Sequence, residues 1–223
     1  MIELLNKDMQ NQIPLEVSFD AYGLEKVSAA GNRAYRVAKR MFDVVVSLIG
    51  CLVLLLPMIL VGVLIHIDSP GPVIFRQKRM GRNGKVFTIY KFRTMYESAP
   101  DDKAANQFED ADMYITKLGG FLRRTSIDEL PQLVNVLRGE MSLVGYRPVC
   151  ISETELNELR ARLGVFAVRP GITGLAQVSG RDNIGYQEKA MLDAQYVQTR
   201  SIKLDLWCIL KTVSIVFSGE GVK

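Results

Sequence analysis

The chain has 223 residues, 48% hydrophobic and 23% charged, which suits one folded domain with or without a membrane element and excludes a disordered chain, a collagen and a disulfide miniprotein. Twenty-eight Lys and Arg against 24 Asp and Glu leave a formal charge of +4, too small an excess to argue for nucleic acid. Three scattered cysteines (Cys51, Cys150, Cys208) show no zinc spacing and suit a reducing compartment, and a single histidine, His66, gives no footing for a histidine metal site or a Ser-His triad.

Residues 1–38 are mixed and weakly patterned, with neither the basic start nor the short apolar core of a signal peptide. They read as an N-terminal extension. Between Asp43 and Asp68 lie 24 residues without one Asp, Glu, Lys or Arg. About 20 apolar residues suffice to cross a bilayer core, so a membrane element is expected here. Its flanks are basic on both sides: Lys39 and Arg40 before it, Arg76, Lys78, Arg79 and Arg82 after it. Basic residues favour the cytoplasmic side, so the pattern fits a segment that enters and leaves on one face. Pro57, near the middle, removes a backbone donor and presses on the carbonyl of Val53, which predicts a bend. The Asp68-Ser69-Pro70-Gly71-Pro72 run ends the helix.

Two strand-like stretches follow, 73–77 and 86–92, with Arg82-Asn83-Gly84 in the turn between them, which predicts a β-hairpin. From Ser69 to Tyr96 no residue is acidic while seven are basic, Lys91 and Arg93 among them. Such a block beside a membrane segment suits anionic head groups and phosphate-bearing substrates alike. Residues 97–112 are acidic and polar without the ligand spacing of a calcium loop, and read as a solvated loop. Beyond Met113 the pattern is helical. Leu130, Leu133, Val134 and Leu137 form one apolar stripe stopped by Gly139, and further helices are predicted over 152–163, 186–200 and 204–217.

The chemistry concentrates in Arg123-Arg124-Thr125-Ser126-Ile127-Asp128-Glu129-Leu130-Pro131-Gln132. Ser126 and Glu129 match a capping box, so helix initiation is one account of this segment. Asp128 and Glu129 at a helix start, beside Arg123 and Arg124, would be kept ionised, which suits a nucleophile or a metal ligand better than a general acid. Arg147 in the Gly145-Tyr146-Arg147-Pro148 turn offers a planar guanidinium to a phosphate, and Arg169 and the Gly180-Arg181-Asp182-Asn183 run add charge nearby in sequence. An acid pair, several arginines and a basic membrane-facing block together suit phosphoryl transfer at a membrane surface with a divalent metal.

Further segments carry a resemblance: Lys39-Arg40-Met41-Phe42-Asp43, Asp68-Ser69-Pro70-Gly71-Pro72-Val73-Ile74-Phe75, Tyr90-Lys91-Phe92-Arg93-Thr94-Met95, Ser126-Ile127-Asp128-Glu129-Leu130-Pro131-Gln132-Leu133, Gly139-Glu140-Met141-Ser142-Leu143-Val144-Gly145, Arg147-Pro148 and Arg169-Pro170-Gly171-Ile172-Thr173-Gly174-Leu175-Ala176-Gln177-Val178. On these blocks, residues 39–217 closely resemble the bacterial sugar transferases, the monotopic phosphoglycosyl transferases. The resemblance implies transfer of a sugar-1-phosphate from a UDP-sugar to undecaprenyl phosphate with release of UMP, at the start of bacterial glycan assembly. It implies Asp128 as the nucleophile that forms a covalent phosphosugar, Glu129 as a magnesium ligand with Asp128 beside it, and Arg147, Arg124 and Lys91 as phosphate ligands. Pro57, Arg40 and Asp43 would serve membrane re-entry. The implied fold is mainly α with a small β-hairpin, a re-entrant helix-break-helix packed on a compact cytoplasmic α+β catalytic domain. The division is then an extension over 1–38, the membrane element over 39–70 and a catalytic domain with interfacial amphipathic helices over 71–223. The partners are membrane lipid, the two substrates and, among proteins, a second copy in a homodimer; the place is the cytoplasmic face of the bacterial inner membrane.

Two positions depart from the family pattern. Tyr146 stands where the family turn often has proline, and Leu56 precedes Pro57 where a serine is frequent. The rival reading is a non-catalytic, membrane-anchored scaffold of a glycan assembly complex, against which the intact Asp128, Glu129 and Arg147 speak. A nucleic-acid binder would leave the apolar run without purpose.

Overall fold

The computed structural model describes residues 33–100, 110–180 and 184–218. The sequence expectations for residues 1–32, for 101–109 of the acidic loop and for Arg181-Asp182-Asn183 lie outside the described residues.

The apolar run forms two helices, α1 (Arg33–Val53) and α2 (Leu55–Asp68), bent by 60° about Leu54. The break lies three residues before Pro57, not at Leu56-Pro57. Pro57 is the third residue of α2, where its missing N–H is one of the donors a helix start leaves unpaired anyway. The steric pressure of its ring falls on Val53, the last residue of α1, so the proline breaks the chain upstream of itself. Helix α1 also begins earlier than the Lys39 boundary expected from the sequence. No single described helix is long and apolar enough to cross a membrane, but the bent pair together has the required length and composition. Its outer surface is apolar: Met41, Leu48 and Leu52 of α1 and Leu56, Ile59, Val63 and Ile67 of α2 are all exposed. A patch of that extent marks contact with a membrane or another protein.

The hairpin is formed as expected. Strands β1 (Ile74–Met80) and β2 (Val86–Phe92) pair antiparallel from Ile74↔Phe92 to Met80↔Val86, and Asn83 supplies the left-handed turn residue (φ 57°). A second sheet, unforeseen in the sequence, pairs β3 (Ser142–Val144) in parallel with β4 (Gly171–Thr173). The Arg169–Gly174 segment is therefore more than a turn-rich link. The ends of the two strands touch because Gly145 and Gly174 carry no side chain: a Cβ on Gly174 would stand 1.8 Å from the carbonyl oxygen of Gly145.

Around these sheets lie α3 (Lys117–Arg124), α4 (Gln132–Arg138), α5 (Thr154–Arg162), α6 (Leu175–Ser179), α7 (Tyr186–Thr199) and α8 (Ile202–Ser218). The last two and α5 follow the sequence expectation to within two residues. The stripe expected on α4 does not. Val134 is exposed, whereas Gln132, Leu133, Asn135 and Val136 are buried. Asn135 earns its interior place by hydrogen bonding: its amide nitrogen donates to Thr88 O and Glu140 Oε2, both at 2.7 Å, and its carbonyl accepts from Tyr90 N at 3.1 Å. The main core gathers Leu133, Leu143, Leu175, Tyr196, Leu204 and Cys208, and a second cluster forms around Tyr146, Leu156 and Val165. Helix α8 leaves Ile202, Leu206, Leu210 and Val213 exposed at spacings of four, four and three, a second apolar stripe facing outward.

Three polar clamps fix the bent pair to the body. Arg40 donates to the last carbonyls of α4, Val136 O at 2.7 Å and Leu137 O at 3.0 Å. Asp43, buried, accepts from Ser142 Oγ at 2.8 Å and Leu143 N at 3.1 Å. Arg93 reaches the exit of α2, donating to Ser69 Oγ at 2.8 Å and Pro70 O at 2.9 Å. Arg40 and Asp43 thus act as anchors between the helix and the body.

Candidate active site

Asp128 and Glu129 do not stand on the helix start that the capping box predicts. Ser126 is left-handed (φ 56°) and its side chain caps nothing. Ile127–Glu129 is instead a single 3₁₀ turn, and α4 opens three residues after Glu129 with Pro131 as the flanking residue. The prolyl nitrogen has no hydrogen to donate, which a short i→i+3 turn tolerates; Glu129 N and Leu130 N bond Ser126 O and Ile127 O, both at 3.2 Å.

Cations, rather than a helix dipole, set the charge of the pair. Lys91 projects from β2 and its Nζ lies 2.7 Å from Glu129 Oε1 and 4.0 Å from Asp128 Oδ2. Arg147, just past β3, faces Glu129 with both guanidinium nitrogens, at 2.9 and 3.5 Å. Burial works against a charge on Glu129, but Arg147 and Lys91 outweigh it and hold this carboxyl well below the ordinary range. Asp128 goes the other way. Its burial pushes it up, the charge of Glu129 adds to that, and Lys91 and Arg147 only partly offset them. The expectation that both acids sit low is corrected: the two neighbours are driven apart, which is how adjacent carboxylates acquire different roles. Asp128 is the more basic of the two, hence the better nucleophile once ionised.

Of the phosphate ligands expected from the sequence, Lys91 and Arg147 join the acid pair. Arg124 is exposed, with its guanidinium toward Gly120. The arginine that acts on Asp128 from this segment is Arg123, which burial pulls below its usual range and which donates to Thr94 Oγ1 at 2.9 Å.

The turn bearing Arg147 is held from behind by residues the sequence did not single out. Arg160 of α5 and Asp193 of α7 are both almost wholly buried and meet at 2.6 Å. Arg160 Nη1 donates to the backbone carbonyl of Arg147 at 2.8 Å, and its guanidinium lies over the Tyr146 ring, 5.1 Å from the centroid. Arg79 reaches Glu153 at 3.9 Å and Pro148 O at 3.5 Å on the other side of the turn. The signal was present: Arg160 interrupts the stripe of Leu156 and Leu163, and Asp193 that of Ala190, Ala194 and Val197. A charge on the apolar face of a helix points to a buried partner.

A family model described as bacterial sugar transferase matches residues 34–219. The chain belongs to the bacterial sugar transferase family. Among relatives in this family, the galactosyl transferase CpsE of Streptococcus agalactiae is 44% identical over 85% of the chain and 44% of its own length. The exopolysaccharide production protein ExoY of Sinorhizobium fredii is 36% identical over 83% of the chain and 88% of its own. The UDP-glucose:undecaprenyl-phosphate glucose-1-phosphate transferase of Escherichia coli is 38% identical over 80% of the chain and 40% of its own. The chain thus spans less than half the length of CpsE and of the E. coli relative, and most of ExoY.

Proposed function

We propose that this protein transfers a sugar-1-phosphate from a UDP-sugar to undecaprenyl phosphate and so begins the assembly of an exopolysaccharide or capsule. Family membership supports the reaction class, and the cluster of Asp128, Glu129, Lys91 and Arg147 carries the reading. A carboxylate of raised basicity beside two cations can attack a diphosphate, because the cations can turn from Glu129 to the substrate's phosphate oxygens.

In the first step Asp128 Oδ attacks the phosphorus that bears the sugar. The bond to the UMP oxygen breaks, UMP leaves with the electron pair, and a phosphosugar remains on Asp128 as an acyl phosphate. In the second step a phosphate oxygen of undecaprenyl phosphate attacks the same phosphorus and Asp128 leaves as carboxylate. One site can thereby serve a water-soluble donor and then a lipid acceptor. Arg147 gives a bidentate contact to phosphate and Lys91 a point charge.

Asp128 and Glu129 supply hard oxygen donors of the type magnesium takes. Magnesium commonly takes one or two carboxylates and completes its shell with water and substrate phosphates. Glu129, and Asp128 beside it, would hold the ion, which supplies charge neutralisation at the phosphates when bound.

The exposed apolar surface of α1 and α2 supports insertion into one leaflet of the bacterial cell membrane, with residues 71–223 as the catalytic domain on the cytoplasmic face. Helix α2, 14 residues long, extends about 20 Å at 1.5 Å per residue, short of a hydrocarbon core of about 30 Å. On this reading the chain turns back at the break, and both ends of the pair share one side. Single cysteines at Ala34 and at Ser98, with the native cysteines replaced, should both resist an impermeant thiol reagent in intact cells and both react after lysis. Reaction at position 34 alone in intact cells would mean a full crossing.

The deciding experiment supplies labelled UDP-glucose or UDP-galactose, magnesium and undecaprenyl phosphate to the purified protein. Magnesium-dependent label in the lipid phase with release of UMP supports the reading. A protein that moves no label with any of a panel of UDP-sugars is a scaffold.

A further inference from the structure

A second charged site lies at the opposite end of α4 from Asp128 and Glu129. A cavity of about 480 Å³ opens between the first turns of α1 and the body, and no residue of the acid cluster lines it. Arg33, Arg36, Lys39 and Arg40 border it from α1. Arg82 of the hairpin turn, Arg169 before β4 and Arg200 after α7 complete a ring of seven cations. The carboxylates at this ring are already engaged. Asp43 accepts from Ser142 and Leu143, and Asp205 takes Lys39 at 3.1 Å and the Tyr35 hydroxyl at 2.9 Å. Arg40, Arg82 and Arg169 hydrogen-bond backbone carbonyls of Val136, Ala167 and Gly139, partners that neutralise no charge. Lys39 is paired, but Arg169 is held below its usual range by burial and then by Arg82 and Arg40, which Asp43 only partly offsets, so these arginines repel one another and a shared anion would relieve them.

The wall is also apolar in part. Val37 and Met41 line the cavity and are among the exposed residues of the membrane-facing helix. A cationic ring whose rim continues into a bilayer-facing surface suits an amphiphile with an anionic head. A soluble phosphate would use the ring and leave the apolar rim idle. We infer that this cavity binds the phosphate head group of an anionic membrane phospholipid, at a site separate from the reacting centre. The bound lipid would fasten α1 to the body at the level where the helix enters the membrane. The inference concerns a structural lipid and does not depend on the transfer chemistry proposed for Asp128.

The test uses the full chain purified and delipidated in a neutral detergent, with thermal unfolding followed as ligand is added. Dioctanoyl phosphatidylglycerol should raise the Tm saturably, and dioctanoyl phosphatidylcholine should not. The double variant Arg36→Gln, Arg200→Gln should need roughly thirtyfold more phosphatidylglycerol for half the rise, the usual worth of two basic residues at an anionic surface. Arg36→Gln alone, an exposed change in the first turns of α1, should need roughly fivefold more and covers the case in which the double variant does not fold. UMP release in the absence of added phospholipid should be unchanged in the single variant. An equal rise with phosphatidylcholine, or half-saturation unmoved by Arg36→Gln, overturns the inference. A full, saturable rise with inorganic phosphate at similar concentration also overturns it, assigning the ring to a free anion.

Discussion

Glu129 and Asp193 are both carboxylates held by arginine, and the two pairs meet at one residue. Arg147 gives its side chain to Glu129 and its backbone carbonyl to Arg160, the partner of Asp193. Their surroundings differ. The Arg147 side chain is 47% exposed, while Arg160 and Asp193 stand at 2% and 1%. An arginine open to solvent can exchange its carboxylate for a substrate phosphate at little cost, because water covers the intermediate arrangements. A sealed pair cannot open without leaving a charge in a dry interior. The same chemistry thus yields a group that can be redirected on one side of the turn and a fixed post on the other.

Removing a group from the open cluster should destroy chemistry and spare the fold. Asp128→Asn is expected to lower UMP release by at least about 10³-fold, the scale for loss of a covalent nucleophile, with Tm and membrane association retained. Appreciable turnover by freshly purified Asp128→Asn, free of deamidation, would remove Asp128 from that role. The sealed pair should answer in the opposite way. Asp193→Ala strands the Arg160 charge, a loss of about 3–5 kcal/mol in stability and roughly 10 °C in Tm for a domain of this size. Its effect on activity, measured well below Tm, should vanish in an Arg147→Ala background, since Asp193 acts on the site only through that turn. The same proportional loss in both backgrounds would make the pair structural alone. Arg147→Lys keeps the charge but loses the second hydrogen bond. A drop of about 1.5–3 kcal/mol, or roughly 10- to 150-fold in kcat/KM, is expected. Wild-type kinetics for this variant would confine Arg147 to holding Glu129.

The contrast also explains what could be read from the sequence. The open cluster was legible because each member lies in a short, distinctive run: Asp128 and Glu129 before Pro131, Arg147 before Pro148, Lys91 in an acid-free strand. The hairpin and the helices α5, α7 and α8 were legible through their periodicity and turn residues. The sealed pair joins residues 33 apart on two helices, and its pairing is a tertiary fact with only the misplaced charges as a hint. The β3–β4 pairing was hidden because three-residue strands, nearly all buried, show no alternation. The break at Leu54 was displaced from the expected Pro57 because a proline acts on the residue four positions earlier.

Tyr146 offers the finest cut between the two regions, since it precedes Arg147 in the turn and packs against Arg160 of the sealed pair. Proline would fix that turn through its own ring, whereas here the fixing is done by packing. Tyr146 is fully buried, meets Phe166 edge-on at 5.5 Å between ring centres and carries the Arg160 guanidinium over its face. Its hydroxyl contributes little by comparison. Burial pushes the phenol well above its usual range, so it stays neutral, and its reach to Met80 O is 3.5 Å, at the outer limit of a hydrogen bond. Tyr146→Phe preserves the ring, the edge contact and the cation–π geometry while removing only that long contact. The expected cost is under about 0.5 kcal/mol, below the usual net worth of a well-made hydrogen bond, with kcat/KM within about twofold of wild type. A tenfold loss in kcat/KM at unchanged Tm would show that the hydroxyl itself takes part in ordering Arg147, and the turn would then owe its shape to a polar contact instead of to packing.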